Sequence, residues 1–146
     1  MLLRYWGPGA GQTWCMSAQS TQRGFPAIPE SPSVARHWVV DELGLVGRAA
    51  EDVQLLVSEL VSNSVLHAGL PADALIWVRV ARVDGGVRVE VCDEGGGLFA
   101  PSAHPHRRDG GRGLRIVRTL SSDCGLHHNG HTLLWFTYMM SPTASV

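Results

Sequence analysis

The apolar residues of this chain change their spacing at one point, and that change restricts the fold more than anything else in the sequence. Over residues 48–67, Val53, Leu56, Val57, Leu60 and Val61 recur at i, i+3 and i+4, which predicts a long helix with one apolar stripe. The run Ala68-Gly69-Leu70-Pro71 ends that helix. Strict alternation follows: Ile76, Val78 and Val80 fall on one side, and Trp77, Arg79 and Ala81 on the other, the period of a strand. Asp84-Gly85-Gly86 makes a tight turn into Val87-Arg88-Val89-Glu90-Val91-Cys92, the returning strand of a hairpin.

The flanking segments repeat this alternation of types. The turn-rich stretch Pro26-Ala27-Ile28-Pro29-Glu30-Ser31-Pro32 leads to a helix over about 33–44, with Ser33 placed to cap it and Val34, Trp38 and Val39 on its buried side. Residues 98–110 read as a loop. A helix over about 112–121 carries Leu114, Val117 and Leu120 on one face and Arg112, Arg115 and Arg118 on another. Strands near 123–128 and 132–139 close the pattern. The order helix, helix, hairpin, loop, helix, hairpin calls for an α/β fold of the α+β kind. It is a two-layer sandwich in which a mixed, mostly antiparallel sheet carries its helices on one face.

At 146 residues the chain suits one domain. Residues 1–24, rich in Gly, Gln, Ser and Thr, read as a loosely ordered extension in which Met16 is an alternative start to Met1; the domain spans 25–140, and 141–146 form a tail. A net charge of −1 gives no footprint for direct contact with nucleic acid or for an anionic membrane. No apolar run reaches transmembrane length, and the first residues do not form a signal sequence. Cys15, Cys92 and Cys124 are too few and too scattered for a disulfide framework, so a reduced, cytoplasmic setting is expected.

All twelve basic residues are arginine. Every mechanism that needs a lysine is therefore excluded, and any phosphate must be met by backbone N–H groups, arginine or a metal ion.

Three polar clusters interrupt the apolar pattern. Glu59 and Asn63 stand four residues apart on one helix face, between Leu55/Leu66 and Leu56/Leu60. A carboxylate among leucines needs a partner or a task, such as an amide oxygen of Asn63 holding Mg²⁺ while Glu59 deprotonates a hydroxyl; a glutamate that snorkels to the helix edge fits equally. Asp93 ends an apolar strand, where a carboxylate can accept from the exocyclic amine of adenine, and Gly95 and Gly97 would let backbone pass close to a flat base. The same residues also make an ordinary turn. Gly110, Gly111, Arg112, Gly113 and Leu114 open the third helix, where free N–H groups and the positive end of the dipole favour phosphate, although glycines there also serve as simple caps. Thr132 begins the last strand and could reach adenine through a water beside Asp93. His104, His106, His127, His128 and His131 read as surface imidazoles rather than metal ligands. Cys92 reads as strand filler.

Taken in order, these clusters resemble the GHKL ATPase superfamily, and within it the small anti-sigma-factor serine/threonine kinases and stand-alone ATP-binding regulators of actinobacteria, over about residues 26–139. Val57-Ser58-Glu59-Leu60-Val61-Ser62-Asn63-Ser64-Val65-Leu66-His67-Ala68 is similar to that family's N-box, and Gly110-Gly111-Arg112-Gly113-Leu114 to its lid-hinge glycines. The resemblance implies ATP and Mg²⁺ as cofactors, Glu59 as general base, Asn63 as the Mg²⁺ ligand, Asp93 as adenine reader, and Gly111 and Gly113 as the phosphate cradle. It implies γ-phosphate transfer to a serine of an anti-anti-sigma (STAS-type) partner and sequestration of a sigma factor, with a homodimer formed through a sheet edge or the first helix. An alternative within the resemblance is a non-catalytic ATP-dependent binding module. Two departures stand out: His131 precedes Thr132 where relatives often carry lysine, and the lid over 98–110 is short.

Overall fold

The computed structural model describes residues 20–94, 111–128 and 131–141. Its elements are β1 (Thr21–Pro26), α1 (Ser31–Leu43), α2 (Gly47–His67), β2 (Leu75–Val83), β3 (Gly86–Asp93), α3 (Gly111–Leu120), β4 (Asp123–His128) and β5 (Thr132–Met139). The five strands form one sheet in the order β1-β2-β3-β5-β4. All four pairings are antiparallel, so the parallel component expected of a mixed sheet is not found among the described residues.

The alternation read from β2 and β3 is realised in the packing. Ile76, Val78 and Val80 of β2, Val87, Val89 and Val91 of β3, and Leu134 and Phe136 of β5 all lie on one face and are buried. Against them pack Ala35, Val39, Val40 and Leu43 of α1, Val53, Leu56, Val57, Leu60 and Val61 of α2, and Val117 of α3 in one continuous core. Burying each of the larger side chains contributes on the order of 1.5–3 kcal/mol, so this face carries most of the folding energy. Among the described residues the helices therefore share one side of the sheet, and none packs on the other.

Two local expectations are corrected. The last residues of the stretch read as a loose extension belong to β1, an edge strand whose Phe25 enters the core and meets Trp38 edge-on at 5.7 Å. Helix α1 begins at Ser31 rather than at a Ser33 cap: Glu30 holds the N-cap position without a side-chain bond, and Pro32 sits in the first turn, where its missing N–H costs nothing. Val34 consequently faces solvent, while Ala35 and Val39 point inward.

Several contacts hold the layers in register. The Tyr138 hydroxyl donates to Asp52 Oδ2 at 2.7 Å, joining the end of β5 to the second turn of α2. Arg82 Nη2 donates to the Leu43 carbonyl, satisfying the C-terminal end of α1, where Gly44 takes the left-handed conformation (φ 62°). At the start of β3, Gly86 lets the hairpin close against β5, since a Cβ there would lie 2.2 Å from the Tyr138 carbonyl oxygen.

Candidate nucleotide site

The register of the sheet brings two of the expected site residues together. Asp93, the last residue of β3, lies directly opposite Thr132, the first of β5. Counting alternate residues back through Val91 and Leu134 puts both side chains on the helix-covered face, at the end where the strands stop. Asp93 is 1% exposed and Thr132 0%. A carboxylate and a hydroxyl so placed, about 5 Å apart at Cβ, form a polar patch at the rim of an otherwise apolar layer. Both residues also take part in a further interaction within the chain.

Helix α2 supplies the second pair. At 100° per residue, Asp52, Glu59 and Asn63 fall within about 40° of one another around its axis. Asp52 reaches Tyr138, so the stripe holding Glu59 and Asn63 is the one turned toward β5, the strand that presents Thr132 at its other end. Glu59 and Asn63 are both half-buried. The expectation of leucines on both flanks is refined: Leu56 and Leu60 are buried, but Leu55 and Leu66 are exposed, so the carboxylate stands on a seam between core and solvent. A seam is where a side chain can be held by packing on one side and meet a ligand on the other.

Helix α3 begins at Gly111 and packs against α2. Its first N–H groups, those of Gly111, Arg112 and Gly113, have no intrahelical partner by the geometry of any helix start. The side chains of Arg112 and Leu114 lie outside the description, and Gly95, Gly97, Gly110 and the 98–110 lid lie outside the described residues. Farther along α3, Val117 is buried and Arg115 and Arg118 are exposed, the division expected from their spacing. His127 is half-buried and His131 exposed.

Beside this patch, Cys92 points to the opposite face, 5% exposed. Burial pushes its thiol well above the ordinary range, and the adjacent Asp93 carboxylate adds to the effect, which suits a packing residue rather than a nucleophile.

The histidine kinase-like ATPase domain matches residues 25–138, most of the chain. The chain belongs to that family. Membership makes ATP the ligand class of the domain and accounts for a layer architecture in which helices cover one side of an antiparallel sheet. The fold is also similar to the crystal structure of the RsbU and RsbW domains of Rv1364c from Mycobacterium tuberculosis. The TM-score is 0.64 at 23% identity, and the match covers 82% of this chain and 31% of that one. At that identity the likeness shows the ATPase-type fold alone, and this chain spans under a third of the larger protein's length. No curated relative matches the chain. No helix among the described residues is long and apolar enough to cross a membrane.

One group that sequence reasoning did not single out is a charged network on the uncovered face. Arg79 donates to Glu90 Oε2 from Nε at 2.8 Å and from Nη2 at 2.5 Å, and Arg88 Nε donates to Glu90 Oε1 at 3.0 Å. Strand pairing, not spacing along the chain, brings them together: the β2–β3 register sets Arg79 opposite Glu90, and Arg88 lies two residues before Glu90 on the same face.

Proposed function

We propose that this domain binds Mg-ATP between α2 and the Asp93 end of the sheet and transfers the γ-phosphate to a serine of an anti-anti-sigma (STAS-type) protein, alternating that partner with a sigma factor. The observation that carries this reading is the pairing of buried Asp93 with buried Thr132 at the rim of the helix-covered face, in a chain of the ATPase family.

The residues present suit the ligand. Asp93 is placed to accept from the exocyclic amine of adenine, with Thr132 beside it to share a bridging water; guanine carries an oxygen at that position and would meet the carboxylate unfavourably. Asn63 offers an amide oxygen to Mg²⁺, a hard cation that prefers oxygen donors. By the family resemblance, the backbone N–H groups of Gly111 and Gly113 at the start of α3 would bind phosphate, and Gly110, Arg112 and Leu114 belong to the same sequence motif. By the same resemblance, Gly95 and Gly97 would border the base. With no lysine in the chain, these groups and the cation must carry the neutralisation of phosphate.

ATP supplies the transferable phosphoryl group, and Mg²⁺ offsets its charge. Glu59 takes the hydroxyl proton of the acceptor serine as its oxygen bonds to the γ-phosphorus and the bond to the ADP oxygen breaks. Such transfer depends on position and electrostatics more than on covalent chemistry by the protein. Removing the base should therefore reduce the rate far more than nucleotide affinity.

The test is incubation of the full chain with γ-labelled ATP and STAS-domain candidates, followed by phosphoamino-acid analysis. Phosphoserine that appears with wild type and is lost with Glu59→Ala, while ATP still binds, is the expected result. ATP binding with no transfer to any candidate, and partner association that depends on ATP, would replace the kinase with the non-catalytic module.

A further inference from the structure

The apolar stripe of α2 contains one polar side chain that the fold does not use. Ser64 follows Val57 by two turns and is rotated only about 20° from it round the helix axis, so it faces the sheet with the core valines. It is 0% exposed, and its hydroxyl has no hydrogen-bond partner among the described residues. A helical serine commonly relieves such burial by bonding to the carbonyl four residues earlier. In α3, Thr119 and Ser121 do this, onto the carbonyls of Arg115 and Val117. Ser64 does not, although alanine would fill the same place without burying an idle hydroxyl. Ser58 shares the lack of a partner among the described residues, but it is half-buried and turned about 120° away round the axis.

Height along the sheet decides what Ser64 faces. Asp52 is tied to Tyr138, which lies opposite Val87 near the start of β3. Val53, Val57, Leu60 and Val61 all stay in the core, so α2 runs from that point over the sheet rather than off its end. From Asp52 to Ser64 the helix advances about 18 Å at a rise of about 1.5 Å per residue. From Tyr138 to Thr132 the strand advances about 20 Å at about 3.3 Å per residue. Ser64 therefore stands over the end of the sheet where Asp93 and Thr132 meet, and its hydroxyl is directed down toward them.

We infer that Ser64 is a further purine-binding residue of the ATP site proposed above, on which this inference rests. Its hydroxyl donates to N1 of adenine, the ring nitrogen beside the exocyclic amine, directly or through one water shared with Thr132, while Asp93 accepts from the amine. Three polar groups converging on one apolar end suit a flat heterocycle with a polar edge, and they also supply the two to four partners that a buried water needs. Because a hydroxyl can donate or accept, Ser64 adds affinity, and the selection against guanine stays with Asp93. The idle bond is thus a cost carried by the empty domain and relieved when the base enters.

Two measurements of opposite sign test this on the full chain. Ser64→Ala should raise the urea midpoint of the unliganded protein, yet weaken ATP about tenfold in calorimetric titration. The analogue 1-deaza-ATP, which has C–H in place of N1, should bind wild type about tenfold more weakly than ATP, and should bind Ser64→Ala as well as ATP does, because the partner of N1 is already gone. A variant that binds ATP as tightly as wild type, a wild type that does not distinguish the two nucleotides, or losses that simply add would overturn the role of Ser64 and leave the Asp93 pocket standing. A lower urea midpoint in Ser64→Ala would mean that the hydroxyl is already bonded within the fold, and would overturn it too. Failure of wild type to bind ATP at all is a distinct result, which removes the nucleotide reading and this inference with it.

Discussion

Trp135 and Phe136 are neighbours in one strand, yet they live in different solvents. Phe136 is fully buried among valines and helix side chains, whereas Trp135 lies half-buried under an arginine on the uncovered face. The covered face holds the fold together by removing apolar surface from water, and at its rim Asp93 and Thr132 meet. The open face uses paired charges and flattened rings. The contrast separates the residues that make the core from those that lie on the side of the sheet away from it.

The largest expected effect tests that separation directly. Phe136→Ala should destabilise the domain by about 3–5 kcal/mol in urea titration, through lost transfer energy and a cavity. Trp135→Ala should cost less than half as much, because part of its surface is already wet; equal losses would abolish the distinction between the faces.

Next in size is the charged network. Glu90→Ala leaves Arg79 and Arg88 without their carboxylate and should cost about 2 kcal/mol, and a double-mutant cycle with Arg79→Ala should return much of that as coupling energy. Additive losses would reduce the network to separate surface charges.

On the covered face, Ser64 is fully buried and its hydroxyl has no hydrogen-bond partner among the described residues. Ser64→Ala should therefore stabilise the domain by about 1 kcal/mol, measured as a higher urea midpoint.

A smaller effect of below ~1 kcal/mol is expected for Tyr138→Phe, which removes the bond to Asp52. Burial, and then that bond, raise the Tyr138 phenol above its ordinary value of 10.0. A raised value means the folded state holds the proton more tightly. The contribution is thus complete below pH 10 and lost as pH rises through the folded-state value, so the difference between wild type and Tyr138→Phe should vanish only in strong alkali.

Much of this architecture could be read before the structure. The valine alternation of β2 and β3 and the stripe of α2 gave the covered face nearly residue by residue, because one-sided burial imposes a period. Strand β1 escaped notice because Thr-Gln-Arg-Gly-Phe-Pro has one buried residue and both a glycine and a proline; its order comes from pairing with β2, and an edge strand tolerates both. The start of α1 was misplaced because Ser33 looked like a cap, while the position of Pro32 in the first turn decided the matter. For the site, Asp93 and Thr132 were legible as chemistry, but their adjacency depends on the β3–β5 register, which joins residues 39 positions apart. The Arg79–Glu90–Arg88 network was hidden for the same reason, being a product of strand pairing and not of spacing along the chain.

The central claim is that Asp93 reads the purine, and calorimetric titration of Asp93→Asn beside wild type with ATP and GTP tests it most directly. Wild type should bind ATP in strong preference to GTP, and the variant should lose most of its ATP affinity while its circular dichroism is unchanged. A variant that titrates with ATP as well as the wild type does, or a wild type indifferent to the base, would contradict the account.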